Sequence, residues 1–101
     1  MTDTTAVAET RWRAGPSQEL EWSDLGDAYA VYHRPSGFTH FLNSATADLL
    51  KHVLAEPRTA RVAAEELASR EGAIGDSAFF VAVAENLARL EHLGLIERCD
   101  P

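Results

Sequence analysis

The sequence predicts an α+β domain in which a small antiparallel sheet leads into a helical block. Two observations carry that prediction. Residues 20–42 hold short β-rich runs between clusters of turn-forming residues. After residue 43 the apolar spacing becomes helical throughout, and Asn43, Thr59 and Asp76 each stand where a helix needs a side-chain oxygen for its first free amides.

Taken in order, residues 11–23 hold two short candidate strands around Gly15-Pro16, and Leu20-Glu21-Trp22 alternates as a half-buried strand requires. Asp24-Leu25-Gly26-Asp27 is turn chemistry. A strand over Ala28–His33 follows, then the turn Arg34-Pro35-Ser36-Gly37, then a strand over Phe38–Leu42. Pro35 presets one turn dihedral, and Gly37 takes positive φ without steric cost. The expectation is a three-stranded meander, with a further strand near Trp12 as an addition to it. Two registers fit the hairpin. A three-residue loop with a bulge at Gly37 puts Tyr32 and His40 on one face, whereas an unbulged four-residue loop groups Val31 and His33 with Phe38 and His40. The second hairpin strand has no later strand to cover it, so its edge, beside a helix, is a place for another peptide to dock.

The first helix is expected from about Ser44 to Ala55, with Ala45, Leu49, Leu50, Val53 and Leu54 as its apolar stripe and Pro57 ending it. Thr59 caps a second helix whose inward residues are Val62, Ala63, Leu67 and Ala68; Gly72 and Gly75 interrupt the pattern. Asp76 caps the third and longest helix, which reaches about Leu93 and carries Phe79, Phe80, Val83, Leu87 and Leu90, with Val81 adding breadth. Gly94 supplies a left-handed stop, after which Leu95 and Ile96 fold back on the last turn. Phe79 and Phe80 lie about 100° apart on that helix, so one faces the core while the other borders the groove next to the open strand.

Composition narrows the function classes. The chain of 101 residues suits one domain, read as a flexible tail over residues 1–10 and a folded unit over 11–98. Sixteen acidic against nine basic residues give a net charge of −7, and the basic residues do not cluster, which argues against nucleic acid and anionic membranes. No apolar run approaches a membrane span, and Met1–Thr10 does not read as a secretory signal. The single cysteine, Cys99, makes an internal disulfide impossible and favours the cytoplasm. His33 and His40 lie on paired strands, but His52 and His92 belong to separate helices, and no Cys/His pair has zinc-site spacing. Ser36-Gly37 lacks a nucleophile elbow, and Gly72-Ala73-Ile74-Gly75 is followed by Asp76, which would repel phosphate. The expectation is a protein that is not an enzyme, with no catalytic residue, metal or cofactor.

Leu20-x-Trp22, Val31-Tyr32-His33-x-x-Ser36-Gly37-x-Thr39-His40-x-Leu42-Asn43, the capped Leu49-Leu50 helix and the closing Leu90-x-x-Leu93-Gly94-Leu95-Ile96-Glu97 resemble the PqqD-like family of peptide chaperones, the RiPP recognition elements. The likeness covers about residues 11–98 and is most marked for the subgroup that accompanies HPr-kinase-related proteins. It implies a winged-helix-like arrangement, a three-stranded antiparallel sheet packed on three helices. It also implies that a precursor's leader peptide adds to the third strand and rests on the third helix. In this chain those elements supply Phe38, Thr39, His40, Phe41 and Leu42 for the strand, and Phe80, Val83, Ala84 and Leu87 for the helix wall. The implied partners are a precursor peptide and a peptide-modifying enzyme, with the domain a monomer or a weak homodimer through the sheet edge. A DNA-binding winged-helix regulator is the alternative reading.

Overall fold

The computed structural model describes residues 10–99, so the expected tail lies, apart from Thr10, outside the described residues. Within them the chain is α+β, with two three-stranded antiparallel sheets and three α-helices. A first strand, β1 (Arg11–Ala14), and a short 3-10 turn at Ser17–Glu19 precede the expected meander. The meander consists of β2 (Leu20–Asp24), β3 (Ala28–His33) and β4 (Phe38–Asn43), in the order β2-β3-β4.

Short-range polar chemistry builds its two turns. The Asp24 carboxylate accepts the Gly26 N–H at 2.8 Å, and the Leu25 N–H donates to the Ala28 carbonyl at 2.9 Å. At the second turn Gly37 sits at φ +77°, which only glycine adopts freely, and its N–H donates to the His33 carbonyl at 2.8 Å. His33 pairs with Phe38, Val31 with His40 and Tyr29 with Leu42, so the unbulged four-residue loop is the one formed. These six residues share one sheet face with Leu20 and Trp22, which pair with His33 and Val31.

The segment at Trp12 does not extend the meander. β1 instead pairs antiparallel with β6 (Ile96–Cys99) and with β5 (Arg58–Thr59), forming a second sheet ordered β5-β1-β6. Two expectations change with it: the chain after residue 43 is not wholly helical, and Ile96 enters a strand opposite Ala14 rather than folding back on the helix. Leu95 does fold back, its N–H reaching the Leu90 carbonyl at 3.0 Å around Gly94 at φ +80°. The second sheet joins partners such as Arg13 and Glu97, 84 positions apart, a separation no local pattern reports.

All three expected caps form. Asn43 accepts the Thr46 N–H at 2.8 Å to open α1 (Ser44–Lys51), and Thr59 accepts the Val62 N–H at 3.2 Å to open α2 (Ala60–Glu71). Asp76 accepts the Phe79 N–H at 2.9 Å to open α3 (Ser77–His92). α1 stops at Lys51, short of the expected Ala55, and the chain tightens into a 3-10 turn at Val53–Ala55. Glu56 is then extended, as a residue before proline prefers. Leu49, Leu50, Leu54, Leu87, Leu90 and Leu95 are fully buried, each contributing about 2–3 kcal/mol of hydrophobic stabilisation. On α2 the inward stripe is Ala63, Ala64, Leu67 and Ala68; Val62 points outward, because the small alanines are what let α2 pack closely on α3. Among the described residues no helix is long and apolar enough to cross a membrane.

Candidate functional site

Among the described residues β4 pairs with β3 alone, so its other edge presents unpaired backbone groups. Edge strands are ordinarily guarded by charge, proline or bulges. β4, Phe-Thr-His-Phe-Leu-Asn, has no charged residue and no proline, and pairs with β3 without a break in register. At the opposite edge of the same sheet, β2 carries Glu21 and Asp24.

The five β4 residues expected to bind peptide divide between two faces. Phe38, His40 and Leu42 share the inner face; Thr39 and Phe41 lie on the outer one. Phe38 is 66% exposed and Phe41 68% exposed, so an apolar ring flanks the free edge on each side. Leu42 is buried in the core and contributes backbone only. On the outer face Thr39 joins Glu21, Ser23, Ala30 and Tyr32 around a shallow hollow, and Glu21 there is tied to Arg34 at 3.2 Å.

The helix wall differs from the expectation. Val83 and Leu87 are core residues, 2% and 1% exposed, and are not available to a docked chain. Phe79 packs against the core, while Phe80 stays 41% exposed. Phe80 lines a hollow with Arg61, Ala64 and Glu65 of α2, to which β4 contributes no residue. Arg89 is nine positions further along α3, half a revolution away at about 100° per residue, and its charge acts on His40. Ala84, the remaining residue of the expected wall, is half-buried.

Histidine chemistry organises the hairpin end. His33 Nδ1 and Ser36 Oγ are hydrogen-bonded at 2.8 Å, and Ser36 Oγ accepts the Phe38 N–H at 3.3 Å, which pins the start of β4 to the loop. His40 is half-buried, with its Nε2 shielded from water and lacking any hydrogen-bond partner. A polar atom in that state costs free energy that a partner would recover. Desolvation lowers the His40 pKa below its ordinary 6.5, and the positive neighbours His33 and Arg89 lower it further. Because the unfolded chain then binds the proton more readily, this histidine's contribution is intact above 6.5 and is lost as the pH falls from there towards the folded-state value. Urea unfolding at about pH 7.5 and about pH 5.5 should show wild type losing more stability than His40→Gln. Equal losses in the two proteins would remove His40 as the cause. Among the described residues no three His, Cys, Asp or Glu side chains gather as a metal cluster would.

A scan against protein-family models and searches of curated proteins and of solved structures each found no match. The functional reading accordingly rests on the geometry of β4 and α3.

Proposed function

We propose that this domain binds an extended segment of another polypeptide as an added strand on β4, and that the segment is the leader of a ribosomally made precursor presented to a modifying enzyme. The observation that carries the proposal is an unguarded strand edge flanked by two exposed phenylalanines. Strand addition suits such an edge, since backbone hydrogen bonds supply affinity while alternate side chains of the guest meet the flanking surfaces and supply selectivity. About four to six hydrogen bonds at a net value of about 1 kcal/mol each, with two buried aliphatic side chains, reach roughly micromolar affinity after ordering costs. Away from the groove, the net charge of −7 favours guests with basic flanking residues.

Such a module needs no catalytic residue of its own and works in the cytoplasm, where precursor peptides are made and where a chain with one cysteine is at home. A weak homodimer through two β4 edges is the competing use of the same surface. The DNA-binding alternative receives less support. α2 carries Glu65, Glu66 and Glu71, and Arg70 is held by Asp48 at 2.7 Å. Calorimetric titration with leader peptides encoded beside this gene, combined with amide hydrogen exchange, tests the proposal. Micromolar binding that protects the amides of Phe38–Asn43 is expected. Failure of every such leader to bind, or protection confined to another segment, removes it.

A further inference from the structure

One cleft lies well away from β4. It is a hollow of about 650 Å³ between the two sheets, walled chiefly by Arg13, Leu20, Trp22, Leu50, Lys51 and Glu97. That volume falls in the range of sites for small organic ligands. Its floor is apolar, from Leu20, Leu50 and the half-buried Trp22 indole. Its rim holds two cations and one carboxylate. Arg13 Nε donates to Glu97 at 2.9 Å, so these two neutralise one another. Lys51 remains. Its ammonium sits 5.4 Å from the centroid of the Trp22 ring and has no carboxylate partner among the described residues. The carboxylate one turn back along α1, Asp48, is already engaged by Arg70 at 2.7 Å.

We propose that this cleft binds a small monocarboxylate with an apolar body, the carboxylate on Lys51 and the body against Trp22, Leu20 and Leu50. The charge balance selects the class. One spare positive charge faces the hollow in a chain whose net charge is −7, so a monoanion is matched here and repelled over most of the remaining surface. A phosphate ester would bring more negative charge than Lys51 offsets, and a cation would meet no free carboxylate on this rim. The apolar floor requires the rest of the ligand to be hydrocarbon, because a polar body would lose water there without finding partners. The cleft borders β2, at the edge of the meander opposite β4, so it is separate from the peptide edge and does not depend on that reading.

Titration of the full chain with phenylbutyrate and octanoate, followed by calorimetry and by the two tryptophan indole N–H resonances, tests the proposal. Phenylbutanol serves as the uncharged counterpart. Both acids should bind and move the Trp22 resonance, with the alcohol weaker by about tenfold for want of a charge-assisted hydrogen bond. Lys51→Gln should weaken the acids about tenfold and leave the alcohol unchanged, and Lys51→Arg should retain them. Lys51 is exposed, so these variants keep the fold, and circular dichroism confirms it. Acid and alcohol binding alike, Lys51→Gln binding phenylbutyrate as wild type does, a resonance shift confined to Trp12, or no binding of either acid would each overturn the proposal. Leader-peptide binding measured on the same Lys51→Gln protein should be unchanged, which separates a failure here from a failure at β4.

Discussion

Replacing Phe38 and Phe41 together by serine is expected to weaken leader-peptide binding about thirtyfold while leaving the melting temperature within a few degrees of wild type. The two rings stand on opposite faces of β4, 66% and 68% exposed, so neither supports the core to any great extent. A strand laid along the free edge covers part of both. Roughly 40 Å² of apolar surface buried on each ring, at about 25 cal/mol per Å², gives about 1 kcal/mol apiece. The sum, on the order of 2 kcal/mol, is the thirtyfold change. The backbone hydrogen bonds of the added strand persist in the variant, which is why binding is weakened and not abolished. Isothermal titration of the folded double variant measures this directly. Binding within about threefold of wild type would mean that the guest does not lie along β4.

Leu87→Ala should behave in the opposite way, costing about 3 kcal/mol of stability with little direct effect on the peptide contact. Leu87 is 1% exposed and packs within the same core cluster as Leu50, Leu54, Leu90 and Leu95, so its removal leaves a cavity that the surrounding close-packed core closes only in part. For a domain of this size that loss corresponds to a fall in melting temperature of about 15 °C. Thermal unfolding by circular dichroism, with peptide titration performed well below the new transition, separates the two roles. A variant that melts like wild type yet loses the peptide would return Leu87 to the groove wall.

How far the sequence reached depended on the range of each interaction. The caps at Asn43, Thr59 and Asp76, the Gly37 turn and the Gly94 stop all formed, because each joins groups only a few residues apart. The meander was legible for the same reason. Two registers fit its sequence, and the His33–Phe38 pairing selects the four-residue loop. Strand β6 went unseen because Ile96–Cys99 has too short a pattern to declare itself without β1 as its partner. Val62 and Ala64 exchanged places relative to expectation, since the choice was made by how closely α2 approaches α3 and not by hydrophobicity.

The candidate site divides in the same way. That β4 is free of charge and proline is written in six consecutive residues; that its edge is unpaired among the described residues depends on β5 and β6 pairing with β1 instead. Which residues of α3 stay accessible is a matter of helix rotation, fixed by Val83, Leu87 and Leu90 turning into the core. That rotation carries Phe80 to the hollow it shares with α2. Sequence alone therefore determined the elements and their ends, through contacts within one turn or one hairpin. Tertiary structure alone decided the second sheet, the Lys51–Trp22 cleft and the burial of Val83 and Leu87, because those depend on long-range packing of faces that local periodicity leaves equivalent.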